Sequence, residues 1–208
     1  MAAMPSTARP TQSRVTPCSA QYSIKSSFFG GHYEIRPRYS EQLVYYVNCL
    51  SFTLSRPSVI VHAGSSTAGR VVGGCKLKSF SRDIEVGLGD LNQPASVKWE
   101  RMLYTGVWSH RYAFRVAFGS GRPQNFTWKR THSWGSGGSG DYKLVNEESQ
   151  TVVAVFEGSR TMIWRPGYLN IFAHDYGEQF NFMVLITLVA LHVATSRGSS
   201  GGGGGGGA

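Results

Sequence analysis

From Glu178 to Thr195 the chain runs eighteen residues with no Gly or Pro, and ten of them are large and apolar: Phe180, Phe182, Met183, Val184, Leu185, Ile186, Leu188, Val189, Leu191 and Val193. The run reads as a helix that is apolar on every side, and such a helix belongs inside a protein or inside a membrane. At about 1.5 Å per residue its apolar part covers roughly 20 to 24 Å, short of a hydrocarbon layer of about 30 Å. Asn181, Thr187 and His192 also interrupt it. A membrane tail anchor is the alternative. The rest of the chain favours the interior, because it reads as many strands with one apolar face each, and those faces need covering.

Upstream, short runs of β-branched and aromatic residues alternate with turn residues every 8 to 12 positions or so, the spacing of an all-β sandwich or barrel. Strands are expected at His32 to Arg36, Gln42 to Thr53, Ser58 to His62, Val71 to Phe80, Asp83 to Val86, Val97 to Tyr104, Tyr112 to Phe118, Asn125 to Thr131, Tyr142 to Asn146, Thr151 to Phe156, Thr161 to Trp164 and Tyr168 to Phe172. Alternation is clearest where Tyr112, Phe114, Val116 and Phe118 share one face and Arg111, Ala113, Arg115 and Ala117 the other. The six residues Gly119 to Gln124, with Gly121 and Pro123, form the loop of a hairpin leading to Phe126-Thr127-Trp128-Lys129.

With 208 residues the chain is long enough for one domain with a substantial core. Residues 1–27 hold Pro5, Pro10 and Pro17, many Ser and Thr, three bases and no acid, and are expected to be a disordered leader. Arg9 and Arg14 without acids also suit a mitochondrial presequence, although the prolines interrupt the helix that such a signal needs. The barrel domain is expected over 28–196, and a flexible Gly/Ser tail over 197–208, which ends in the glycine run Gly201 to Gly207.

No complete catalytic or metal motif occurs, so no enzyme, cofactor or metal is expected. Cys18, Cys49 and Cys75 are an odd number with no CxxC spacing, which signals neither a disulfide framework nor zinc and points to a reducing, cytoplasmic setting. The run Gly135-Ser136-Gly137-Gly138-Ser139-Gly140 fits GxGxxG but precedes a strand, where a dinucleotide site needs a helix. Gly69 to Lys76 approaches a phosphate loop, yet Cys75 stands where lysine should follow the second glycine. His174-Asp175 could pair a base with its orienting carboxylate, but Asp175 and Glu178 lie where acids cap a helix and offset its dipole. Asn181 and His192 are expected to be satisfied against barrel backbone. Asn125-Phe126-Thr127 matches a glycosylation acceptor by coincidence of composition.

Charge is the remaining signal. Residues 1–135 hold 17 Lys and Arg against 6 acids, and 136–208 hold 4 against 6; Lys98 to Arg130 carries seven bases against Glu100 alone. Such a bias suits anionic partners through long-range attraction. The candidate site is Arg111, Arg115 and Lys129 pointing outward on neighbouring strands, with Arg122 at the hairpin tip, as donors to phosphate oxygens. Scattered solvated bases are the plainer reading of the same residues. Nucleic acid is the weaker partner, since no recognition motif accompanies the charge.

Three blocks carry a family resemblance: Phe126-Thr127-Trp128-Lys129-Arg130-Thr131; Tyr142-Lys143-Leu144-Val145-Asn146 with Val152-Val153-Ala154-Val155-Phe156-Glu157; and Gly167-Tyr168-Leu169-Asn170-Ile171 leading through Tyr176-Gly177-Glu178 into Phe182-Met183-Val184-Leu185-Ile186-Thr187-Leu188. With weaker echoes at Ser81 to Asp90 and Trp99-Glu100, the chain from about Val44 to Ala194 resembles the tubby C-terminal-like superfamily, which includes the phospholipid scramblases and the LURP-one-related proteins. The nearer likeness is to fungal members of that superfamily whose function has not been worked out. The resemblance implies a mainly β fold: a closed antiparallel barrel of about twelve strands around one buried apolar C-terminal helix. With the basic surface and the missing motifs, the expectation is a non-enzymatic protein, peripheral to membranes or an adaptor, that meets anionic phospholipid headgroups; a scramblase-like protein with an inserted helix is the alternative. The helix departs from the family pattern by ending in His192-Val193-Ala194-Thr195-Ser196-Arg197 without a strongly charged end. The phosphoinositide-contacting residues of tubby proteins have no position-by-position match here.

Overall fold

A computed structural model of the chain describes residues 18–27, 31–50, 57–78, 81–106, 111–118, 121–131, 141–158, 166–173 and 175–200, the side chains of 197–200 excepted. Twelve strands follow one another: β1 Ala20–Ser26, β2 His32–Pro37, β3 Tyr45–Cys49, β4 Val59–Ala63, β5 Val71–Leu77, β6 Ile84–Leu88, β7 Lys98–Tyr104, β8 Tyr112–Val116, β9 Gln124–Arg130, β10 Tyr142–Asn146, β11 Thr151–Glu157 and β12 Gly167–Ile171. A short 3-10 turn at Pro94–Ser96 precedes β7, and one helix, α1, spans Gly177–Ser200. Each strand pairs antiparallel with its sequence neighbour, and β1 pairs with β12, so the sheet closes into a barrel with α1 inside.

Closure explains why α1 can be apolar all round. Period-2 alternation sends one side chain in two into the lumen: Ile35, Val47, Val59, Val61, Val86, Met102, Phe126, Trp128, Leu144, Phe156, Leu169 and Ile171 are fully buried. Met183 to Leu191 is buried without interruption, so every side of that stretch faces wall. Gly73 lets the helix approach β5: a Cβ there would lie 3.0 Å from Ile186 Cδ1 and 3.1 Å from Phe182 Cε1. Gly177 (φ +74°) makes the left-handed turn that admits the chain to the lumen. At this entrance Tyr176, Phe118, Phe126 and Phe180 pack ring on ring. Tyr176 Oη donates to Gln124 Oε1 at 2.7 Å, and Asn146 Nδ2 donates to Gln124 Oε1 at 2.6 Å.

The expected fold class is the observed one, with three corrections of detail. The stretch expected as a leader contains β1: Tyr22 and Ile24 point inward, and pairing on both sides, Ile24↔Gly167 and Ile24↔Ile35, supplies the order that composition alone does not signal. The strand expected over Gln42 to Thr53 is only Tyr45–Cys49 within the described residues, and the strand expected at Thr161 to Trp164 lies outside them. The helix backbone continues to Ser200, past the point where the tail was expected to begin, because the single Gly198 among Arg197, Ser199 and Ser200 does not stop a helix already under way. Within it, Gly177–Ser196 is long and apolar enough to cross a membrane by length and composition, although most of it is enclosed by the barrel.

Candidate anion-binding face

The outer surfaces of β8, β9 and β10 carry the expected bases, and the register sorts them into two groups. Tyr112 pairs with Trp128, so the next residue, Arg111, falls opposite Lys129, and Lys129 pairs directly with Lys143 of β10. Arg111, Lys129 and Lys143 therefore form a row of three cations across three adjacent strands. Arg115 pairs with Asn125, four residues and about 13 Å along β8 from Arg111, and Arg122 lies beyond it on the loop before β9. Arg111, Arg115 and Arg122 are exposed, and Lys129 is half-buried. The four residues chosen from sequence thus do not converge on one phosphate. Two of them join Lys143, which alternation in Tyr142-Lys143-Leu144 marks as outward but which only the register brings beside Lys129.

Like charges directly opposite each other on a sheet repel, by roughly 0.2 to 1 kcal/mol. Lys129 is turned toward the Glu147–Gln150 turn and meets Glu147 Oε1 at 2.8 Å. The Lys129 ammonium is the main reason that the Glu147 carboxyl is held below the usual carboxylate range. The turn is itself fastened down: Asn146 Oδ1 accepts the Glu148 and Ser149 N–H groups at 2.9 and 3.1 Å, and Glu148 accepts the Asn125 N–H at 2.9 Å and its amide Nδ2 at 2.7 Å. Sequence reading missed Glu147 and Glu148 as partners because they reach β9 only through pairing with β10. Among the described residues, no carboxylate lies within ion-pair distance of Arg111, Arg115, Arg122 or Lys143.

Elsewhere on the wall most cations are already engaged. Lys78 meets Glu85 at 2.8 Å, Arg101 meets Asp83 at 2.7 Å, Lys98 meets Glu100 at 3.6 Å and Arg36 meets Glu34 at 3.0 Å. Arg38 stacks on Tyr168 and donates to Asn170 Oδ1 at 3.2 Å, while Lys76 lies 4.0 Å above the Trp99 ring. The β8–β10 face is where uncompensated positive charge collects.

For acid–base or metal chemistry the described residues offer little. His174 lies outside them, and Asp175 is exposed just ahead of α1, with Glu178 in its first turn. His62 Nδ1 is 3.0 Å from the Gly69 carbonyl, a contact within one hairpin. No three His, Cys, Asp or Glu side chains among the described residues cluster as a metal site requires. Cys75 is buried with its thiol pKa pushed up by burial, which makes it a poor nucleophile. The glycine run at 135–140 lies outside the described residues, and Gly69 leads into strand β5 rather than into a helix.

Asn181 and His192 overturn one expectation. They are expected to be satisfied against barrel backbone, but Asn181 Oδ1 and His192 Nε2 are sealed from solvent and have no hydrogen-bond partner among the described residues. The reason is the barrel itself: its backbone donors and acceptors are largely spent on neighbouring strands, so the wall offers a buried helix few free polar groups. Thr187 escapes by bonding its own helix, donating to the Met183 carbonyl at 2.8 Å, while its oxygen accepts the Trp128 indole N–H at 3.0 Å.

No family model, no curated protein and no solved structure matches this chain.

Proposed function

We propose that this chain is a non-enzymatic barrel of tubby C-terminal-like kind, closest in character to the fungal members of that superfamily. It works at the cytoplasmic surface of membranes and meets anionic phospholipid headgroups on the outer face of β8–β10 while α1 stays in the lumen. The observation that carries the reading is the row Arg111–Lys129–Lys143, two of whose members face each other across a strand pair with one carboxylate to share. Phosphate oxygens would relieve that repulsion, and Arg and Lys donors suit them. The aromatic residues of these strands, Tyr112, Phe114, Phe126 and Trp128, all point into the core. They offer no stacking platform to single-stranded nucleic acid, which leaves lipid the better-supported anion.

The test is vesicle co-sedimentation at pH 7.5 with neutral phosphatidylcholine against the same lipid containing phosphatidylserine or a phosphoinositide, at low and high salt. Binding is expected to anionic vesicles alone and to be lost in high salt. Each basic residue near an anionic surface contributes about 1 kcal/mol, so the double variant Arg111→Ala/Lys143→Ala should bind about 30-fold more weakly. Equal binding to neutral vesicles, or an unchanged affinity in the double variant, removes the reading.

A further inference from the structure

The other end of the lumen holds a group that headgroup docking does not use. His192 lies two turns before the end of α1, its ring edge-on to Phe156 of β11 at 5.2 Å and to Tyr142 of β10 at 6.2 Å. Its Nε2 has no hydrogen-bond partner among the described residues. Among the described residues, no carboxylate lies within ion-pair distance of the ring. Tyr142 is a neutral phenol whose pKa is raised by burial, and the charge acting on it is Arg130 of β9. Thr195, on α1 itself, donates to the Leu191 carbonyl at 2.9 Å. Glu157, next to Phe156, is exposed, and Asp141 accepts the Gly158 N–H at 2.9 Å. Residues 132–140 and 159–165, which connect β9 to β10 and β11 to β12, contain no Asp or Glu.

A proton on His192 would therefore put a charged N–H at the sealed Nε2, against the Phe156 and Tyr142 rings and with no acceptor, although the residue as a whole is only partly buried. Burial pushes the imidazole down to about 4 from an ordinary 6.5. The sign follows: above pH 6.5 the ring is neutral in both states and the enclosed helix keeps its full stability. As pH falls from 6.5 toward 4, only the released helix takes the proton, and enclosure is disfavoured by up to about 300-fold.

A released α1 has somewhere to go. Gly177–Ser196 is 20 residues, about 30 Å of helix, which matches a hydrocarbon layer. Within a bilayer His192 would sit about one turn from the end of that span, where an interface can hydrate the Nε2 that the barrel seals. One seam of the wall has a short ladder, extended by the Thr105 N–H donating to the Arg111 carbonyl at 3.0 Å. β7 and β8 pair at only two positions, Leu103↔Ala113 and Tyr104↔Tyr112, whereas every other seam pairs at four or five. We infer that α1 is a stored membrane segment, enclosed at neutral pH and given up to a lipid bilayer in acid, with His192 as the latch and the β7–β8 seam as the way out.

The experiment uses the full chain and vesicles of phosphatidylcholine alone, so that the basic face plays no part, with flotation followed from pH 7.5 to 4. The wild type should float only in acid, in a carbonate-resistant form, and His192→Phe, whose ring suits the aromatic surroundings, should stay behind at the same pH. Flotation of His192→Phe at the wild-type pH, or no flotation of the wild type at any pH, overturns the inference. If His192→Phe is not folded at pH 7.5 by near-ultraviolet circular dichroism, NMR titration of the His192 ring in the intact protein decides instead. Its protonation must coincide with the onset of flotation, and a ring that titrates near 6.5 with no flotation is the overturning result. Salt-sensitive binding to anionic vesicles at pH 7.5 is read separately, so either proposal can fail alone.

Discussion

The same three strands, β8 to β10, present two surfaces governed by different physics. Inward, Phe114, Phe126, Trp128 and Leu144 meet α1 in a lumen where the Thr187 hydroxyl satisfies the Trp128 indole N–H. Outward, Arg111, Arg115, Lys129 and Lys143 stand in water with a single ion pair among them. The inner surface is over-determined: volume, shape and polarity each have one solution, so substitutions there act on folding. The outer surface is under-determined, and tolerates a like-charge pair that only an external anion would relieve. Side chains one residue apart in sequence can therefore answer to stability on one hand and to a partner on the other.

The largest effect that would break this contrast is at the helix centre. Leu185 is fully buried, and Leu185→Arg places a charge with no partner in the lumen. The expected cost is about 5 kcal/mol or more, comparable to the whole stability of a domain, so soluble yield and the cooperative thermal transition should both be lost. A variant that stays soluble with an unchanged melt would mean that α1 is not the core.

A smaller effect is expected from Thr187→Val. It leaves the Trp128 N–H buried without an acceptor, at about 1 to 3 kcal/mol by denaturant unfolding. Adding Trp128→Phe should recover part of that loss, and a double-mutant cycle with zero coupling would show that the indole finds another acceptor. The smallest effect has the opposite sign. Lys143→Ala relieves the repulsion with Lys129 and should raise stability by a few tenths of a kcal/mol at low salt, with the gain shrinking as salt is added, while the same change weakens vesicle binding. Loss of stability on that substitution would mean that Lys143 is held by the fold rather than free for a ligand.

Several of these features are legible in the chain itself. The inward set Tyr112, Phe114 and Val116 follows from period-2 alternation, and Tyr142–Asn146 begins and ends where its flanking polar residues say it should. What composition concealed is instructive. Strand β1 sits downstream of a proline-rich, serine-rich stretch and has only Tyr22 and Ile24 to mark its apolar face, too little to set it apart from the residues before it. Lys143 was visible as an outward residue but not as the neighbour of Lys129. His192 and Asn181 were visible as polar residues in an apolar helix, yet the absence of a partner is a property of the wall around them.

Alternation, turn spacing and the all-round apolarity of Phe180 to Val193 are local properties, each decided within a few residues, and they determined by themselves that this chain is a set of one-sided strands with a helix to cover. Only the tertiary structure decided that Ala20 meets Ile171 to close the barrel, that Lys129 faces Lys143, and that the β7–β8 ladder is the shortest. Those are choices among long-range partners. Any one-sided strand can satisfy its neighbour's backbone, and the register that wins is the one in which all twelve strands and the helix are satisfied together.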